Sequence, residues 1–431
     1  MTVGQCGANV KPGRVLLREG AAQYAFFIGI SFAGHENGVN SYDAVVVGGG
    51  PAGSTCAWKL RRAGLNVCLI DRAVFPRDKV CAGWITPPVI EALELDPQEL
   101  DEYRQSRVFQ PITAFRTSVI SRAGIETRYP TPVSFGIRRY EFDAFLLKRA
   151  RVHLRCGQPM TSLRRDGKDW IVNGTITAPI LVGAGGHFCP VARHVNDDDG
   201  GVRLQADRGR GPAKAGRHHV VAAVEAEFEL DDRQLSQVSV HPEAPELFFC
   251  EDFAGYGWCF RKGRYLNIGL GRQDPRELPR HAKSFLEFLV ARGVIPSNLP
   301  MRLHGHAYLL AGTSPRESIG EGILLVGDAA GLAEPHSGEG IRPAVESGLL
   351  AARAILNANG RYDRDALEPY RRRLHERFGA PARNTSSAGT PPSWLATRVA
   401  YQAMKLRWFT RHIVLDRWFL GRQRPPLAET A

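Results

Sequence analysis

Two rhythms of apolar and polar positions run along the chain. Residues 44–47 form an uninterrupted apolar run, and residues 67–70 form another, which ends in Asp71. Runs of this length bounded by turn residues read as buried strands, and the stretch between them reads as a helix. Strand, helix and strand therefore cover residues 42–71. Beyond them the pattern predicts a short helix around Val89–Leu95, β structure over Ile112–Tyr129, and a helix over Ile137–Arg149 with Phe142, Phe145 and Leu146 on one face. Short strands follow between Val152 and Val182, divided by the turn pairs Asp166-Gly167 and Asn173-Gly174. Residues 219–272 read as sheet and Ala282–Arg292 as helix. An apolar strand then ends in Gly327-Asp328, and a Gly-rich loop feeds a long helix. From Arg361 onward the chain reads as helical and basic, with a break at Gly389–Pro392. The Gly/Arg/Asp-rich stretch Asp197–Gly216 is expected to be a mobile loop.

The turn between the first two strands is Gly48-x-Gly50-x-x-Gly53. A dinucleotide fingerprint has this order: strand, tight glycine turn, helix, strand, then an acid about 20 residues on. Gly48 allows the sharp turn. Gly50 lets backbone approach a pyrophosphate where a Cβ would collide, and Gly53 lets helix lie on strand. The helix start then aims free amides and its positive dipole end at the phosphates. Asp71 suits ribose hydroxyls.

A second glycine-acid element lies about 280 residues later. Gly327-Asp328 ends a strand at the carboxyl edge, where open α/β sheets bind ligands. Ten residues on, Ser337-Gly338-Glu339-Gly340-Ile341 opens a helix whose free amides can favour negative charge on an electron-accepting ring. Each element alone is an ordinary turn. Together with the opening fingerprint they read as one FAD site.

Three blocks, FPRDKVCAGWITP, YGWCFRKGRYLNIGLG and GDAAGLAEPHSGEGIRPAVESG, resemble the geranylgeranyl reductase family of FAD-dependent oxidoreductases, within the p-hydroxybenzoate hydroxylase-like fold group. The resemblance runs from about Tyr42 to Asn357. It implies reduction of isolated double bonds in prenyl chains, with FAD contacts at Ala52, Asp71, Cys81, Ala82, Arg139, Asp328, Gly340 and Ile341. Arg139 matches an Arg-x-x-Phe-Asp pattern with Phe142 and Asp143, and a guanidinium there suits the cofactor's phosphates. Cys81 is implied to lie near the flavin ring, either as a structural thiol or as a catalytic group. Tyr256, Trp258 and Phe260 alternate on a strand and share a face. Packing alone would make them core, and the resemblance makes them the wall of an apolar substrate pocket. Two positions depart from related patterns. Gly183-Ala184-Gly185-Gly186-His187 lacks the acid that the aromatic hydroxylases carry, and Arg261 replaces a proline.

The expected fold is therefore α/β: a Rossmann-type FAD-binding domain with an inserted β-rich substrate domain and a C-terminal helical segment. The FAD domain is expected over residues 41–110, 133–190 and 300–360, the substrate domain over 111–132 and 191–299, and the helical segment over 361–431. Residues 1–40 are expected to be a disordered extension. Their apolar stretch, Ala21–Gly34, falls short of the ~20 residues of a membrane span.

Charge adds one further element. The net charge is +12, and residues 361–424 hold fourteen Lys/Arg against five Asp/Glu. Trp394, Val399, Tyr401, Met404, Trp408, Phe409 and Trp418 alternate there with Arg398, Lys405, Arg407, Arg411 and Arg417. This pattern fits an interfacial helix, and equally a terminal helix packed over the substrate lobe. The eight cysteines have no metal-ligand spacing, so no metal is expected. No nucleic-acid module is visible. The reading is a cytoplasmic enzyme acting on an apolar or lipid substrate, with peripheral contact at the inner face of the cell membrane. NADPH and ferredoxin both stand open as electron donor, and the oligomeric state is open. The rivals are a flavin monooxygenase or halogenase on the same scaffold, and a non-catalytic flavin protein that docks on membranes. Tyr256 and Phe260 replace the outer members of the halogenase Trp-x-Trp-x-Ile-Pro pattern.

Overall fold

Apolar runs with parallel pairing build one central sheet. A computed structural model describes residues 40–196, 220–313, 316–381 and 393–427. The expectations placed on residues 1–39, on Asp197–Gly216 and on Gly389–Pro392, and the side chain of Trp394, lie outside the described residues. The central sheet has six strands in the order Ile319–Gly320, Ile323–Leu325, Ile180–Gly183, Ala44–Val47, Val67–Asp71 and His153–Cys156. All but the first of these pair in parallel, with Ala44 opposite both Val67 and Ile180 and Leu181 opposite Ile323. Near-continuous burial explains the unbroken apolar sequence, since both faces are covered. Parallel direction also brings three strand ends to one edge, and Gly48, Ala184 and Gly327 follow them there.

Helix α1 (Pro51–Arg62) leaves this edge directly after the first strand. Gly48 has φ +118°, a conformation that side chains rarely adopt, and any Cβ there would overlap Ala184. A Cβ on Gly53 would overlap the Gly48 carbonyl oxygen, so the close approach of helix to turn requires glycine at that position. Helix α2 (Arg139–Ala150) begins two residues later than the periodicity predicted. Helix α3 (Ile341–Asn357) packs against α1, and α4 (Arg364–Phe378) lies beside α3, with the Tyr370 hydroxyl donating to the Leu325 carbonyl at 2.6 Å.

A second sheet of seven strands runs His304–Leu309, Val220–Glu229, Tyr265–Arg272, Gly255–Lys262, Glu246–Phe249, Ala114–Val119 and Ile125–Arg128. One face packs on the Leu278–Ala291 helix through Phe248, Phe285 and Leu289. The opposite face carries an aromatic cluster of Trp84, Phe115, Phe249, Tyr256, Trp258, Phe260 and Phe419. The C-terminal segment covers this cluster. Helix Ser393–Met404 is followed by a short turn and by a π-helical stretch, Thr410–Phe419. Thus the α/β class, the β-rich insertion and the C-terminal helices are all present. Among the described residues no helix is long and apolar enough to cross a membrane.

Candidate functional site

The edge where Gly48, Ala184 and Gly327 emerge opens onto a cavity of about 1210 Å³. That exceeds the ~300–1,000 Å³ of a usual small-molecule pocket, a size that suits an extended ligand. Its lining joins both sheets. Gly48, Gly50, Ala52, Asp71, Cys81, Ala82, Arg139, Asp328, Gly338, Gly340 and Ile341 all face it. Gly53, expected among them, does not. It lies one residue deeper, buried between α1 and the turn, where its role is to permit their contact.

Two helix starts converge on the cavity. Neither Gly50, before α1, nor Gly340, before α3, offers a side-chain cap, and neither first turn carries an acid. First-turn amides without side-chain partners are ready for anions or electron-rich atoms; those of α1 qualify, whereas at α3 the Glu339 side chain accepts from the Arg342 amide. Beside Gly50 lies Arg77, whose Nη2 pairs with the fully buried Asp143 at 3.0 Å. Its Nη1 is buried and has no partner. Arg139 is largely shielded, with its side chain 11% exposed, and its Nε and Nη2 both donate to Asp143 at 2.7 Å. One carboxylate therefore anchors two arginines at the cavity wall. Asp71 uses Oδ2 to accept from the Gly49 amide at 2.7 Å and Oδ1 from Ala73 at 2.8 Å, which holds the glycine turn against the second strand. A glycine cradle, an orphaned guanidinium nitrogen and the uncapped start of α1 fit a pyrophosphate-bearing cofactor.

Charge concentrates at the centre of the cavity. Asp328 faces His306 Nε2 at 3.4 Å. Burial would raise this carboxyl, but His306, Lys79 and Arg139 hold it below its usual value. Burial, with Arg139 beside it, brings the Lys79 ammonium down to about 8. Burial also lifts Glu339 to about 7, although its Oε1 accepts from the Arg342 amide at 3.0 Å. Arg77, Lys79, His306 and Tyr308 were not singled out in the sequence, and Glu339 was named there only as part of the loop that opens α3. Arg77, Lys79 and Glu339 lay inside the family-like blocks, so local position gave a signal. His306 and Tyr308 come from an unremarkable strand, and only the pairing of that strand with Val220–Glu229 brings them here.

The far end is apolar. Tyr256, Trp258, Trp84 and Ala223 line it. The Tyr256 hydroxyl donates to the Ser337 carbonyl, which ties this wall to the start of α3. Trp84 Nε1 is buried without a partner. Phe260, expected to line the pocket, shares the face of Tyr256 and Trp258 but does not reach the cavity. Trp84 stacks on it at 5.0 Å and 21°, which makes it the layer behind the wall. Cys81 lines the cavity, and its Sγ accepts from the Gly83 amide at 3.4 Å.

The FAD dependent oxidoreductase family model matches residues 43–134. Digeranylgeranylglycerophospholipid reductase 2 of Methanothermobacter thermautotrophicus is 29% identical over 352 residues, covering 78% of this chain and 84% of that protein. A geranylgeranyl bacteriochlorophyll reductase-like protein of Thermoplasma acidophilum shares the fold, with TM-score 0.63, 21% identity and 86% and 89% of the two chains covered. Halogenase PltM, solved in complex with FAD, does so with TM-score 0.61, 16% identity and 85% and 77% covered. The chain is an FAD-dependent oxidoreductase. Within that class it is related to the geranylgeranyl reductases.

Proposed function

We propose that this enzyme reduces isolated carbon–carbon double bonds of a prenyl or other long apolar lipid. One observation carries the reading. The cavity that begins at the glycine cradle ends in an apolar wall of Tyr256, Trp258 and Trp84, beside the start of α3. Gly48, Gly50, Ala52, Asp71, Arg77 and Arg139 would hold the dinucleotide part of FAD, and Asp328, Gly338, Gly340 and Ile341 the flavin end. Bound there, FAD supplies hydride chemistry. The residues of the chain supply position and charge. Aromatic rings exclude water and orient an apolar chain, and the amides of α3 favour negative charge at the ring edge. Glu339 and Lys79, with values of about 7 and about 8, are the cavity groups suited to hold or release a proton near neutrality.

The C-terminal segment supports a peripheral membrane contact as part of the same reading. Tyr401, Met404, Phe409, Val414, Trp418 and Phe419 pack on the aromatic cluster. Val399, Leu406 and Trp408 point outward, 61%, 60% and 65% exposed, among Arg398, Lys405 and Arg407. This arrangement would place the substrate lobe at a lipid surface.

Incubation of the reduced holoenzyme with a polyprenyl lipid, followed by mass spectrometry, tests the activity. Reduction predicts products heavier by two daltons per saturated bond. Products gaining an oxygen or a halogen atom, with no two-dalton series, would instead establish the monooxygenase or halogenase reading.

A further inference from the structure

Trp258 and the Cys81–Gly83 loop face the same cavity but come from distant parts of the chain. Behind both lies the fully buried amide of Asn267, on the Tyr265–Arg272 strand. Its Oδ1 accepts from Trp258 Nε1 at 2.7 Å. Its Nδ2 donates toward Glu225 Oε1 at 3.0 Å, the Cys81 carbonyl at 3.1 Å and Glu227 Oε1 at 3.2 Å. Indole nitrogen is a donor only, and the other three partners accept, so one amide orientation alone satisfies all of them. The Cys81 amide in turn donates to Glu225 Oε2. Buried Lys262 completes the cage: its Nζ donates to the Ala82 carbonyl at 3.0 Å and to Ile137 at 2.9 Å, and pairs with Glu227 at 2.6 Å.

Asn267, Glu225, Glu227 and Lys262 do not themselves line the cavity. They hold residues that do. A carboxamide is the side chain that can accept from the indole and donate to the loop at once. Aspartate would lose the donor and add a third carboxylate beside Glu225 and Glu227. Leucine would lose both bonds.

We propose that Asn267 is a positioning residue, setting the spacing between the Trp258 indole and the Cys81–Gly83 loop and so the seat of the apolar substrate between them. The last clause rests on the proposed reductase function; the positioning itself does not, and the readouts separate the two. Full-length, FAD-loaded Asn267→Leu, Trp258→Phe and the double variant are compared with the parent. Hydrogen exchange over residues 79–84 and the visible flavin spectrum report positioning without any substrate. Asn267→Leu is expected to speed exchange in that segment at least tenfold and to shift the flavin bands. With a turned-over prenyl lipid it is expected to raise KM at least tenfold while kcat changes less than threefold. The double variant should be no worse than Asn267→Leu, because both mutations break one unit. Parental exchange and KM in folded Asn267→Leu, or effects that multiply in the double variant, would overturn the proposal. Should Asn267→Leu not fold, Trp258→Phe decides, with at least threefold faster exchange expected over residues 79–84 and unchanged exchange refuting it. Absence of prenyl turnover in the parent would defeat the reductase reading and leave the exchange result to judge Asn267.

Discussion

A methyl group at Gly53 has no space, because the Gly48 carbonyl oxygen occupies it and the obstacle is the backbone of the glycine turn. Gly53→Ala should therefore cost about 1–3 kcal/mol through overpacking, and it should also lower flavin retention by displacing Gly48. Thermal unfolding and the ratio of flavin to protein absorbance measure the two effects separately. Glu339 makes a prediction of a different kind. Its carboxyl lies at about 7 in the folded chain, against an ordinary value of 4.5, chiefly through burial. Between those values the folded state holds a proton that the unfolded state has released. Stability from this group is thus present at low pH and is lost as pH rises through the window of 4.5 to about 7. Glu225, lifted by burial to about 8, acts in the same direction. Urea unfolding at pH 5 and pH 8 should show a fall in stability that Glu339→Gln reduces and, because Glu225 remains, does not abolish.

At the scale of elements, short-range chemistry was the legible part. Gly48, Gly50, Gly53 and Asp71 span one strand–helix–strand unit, so their spacing sufficed to predict the turn. Lys262 and Asn267 were not legible. The loop carbonyls they hold lie 125 to 186 residues away at Ile137, Ala82 and Cys81, and lysine is rarely buried unless paired. Phe260 was assigned to the correct face because strands alternate, but alternation gives no depth, and Trp84 fills the space in front of it. The clamp on the C-terminal segment was invisible for the same reason as Lys262. Arg342 of α3 donates to Glu346 at 2.8 Å and to the carbonyls of Gly421, Arg424 and Pro425 at 3.1, 2.8 and 3.1 Å. Arg377 of α4 pairs with the same fully buried Glu346 at 2.6 Å and also reaches Pro425. Removing one partner of a buried ion pair typically costs about 3–5 kcal/mol, and Arg377 retains part of the compensation here. Arg342→Ala should lower stability by about 3 kcal/mol and expose residues 420–427 to limited proteolysis. Urea unfolding and a timed digest read these outcomes.

For the whole molecule, the C-terminal segment is anchored on one side and open on the other. Inside, Tyr129 donates to Asp416 at 3.0 Å and Phe419 packs edge-on against Tyr256 at 5.1 Å, a direct contact with the cavity wall. Outside, Lys405-Leu406-Arg407-Trp408 are four consecutive exposed residues at a helix corner. Tryptophan and leucine favour the interface between headgroups and acyl chains, and each adjacent cation contributes about 1 kcal/mol at an anionic surface. Docking at this corner would bring a lipid surface to the segment that backs the aromatic cavity wall, so under the proposed function a prenyl chain would have a short apolar path inward. Vesicle flotation should then show binding to phosphatidylglycerol-containing vesicles that weakens in high salt and is feeble on phosphatidylcholine alone. Leu406→Ala/Trp408→Ala should lower that binding about tenfold, while turnover of detergent-dispersed substrate stays at the parental level, since neither side chain reaches the cavity. Equal binding to neutral and anionic vesicles, or full binding by the double variant, would assign the exposed corner no part in membrane contact and leave the packed inner face as the segment's whole role.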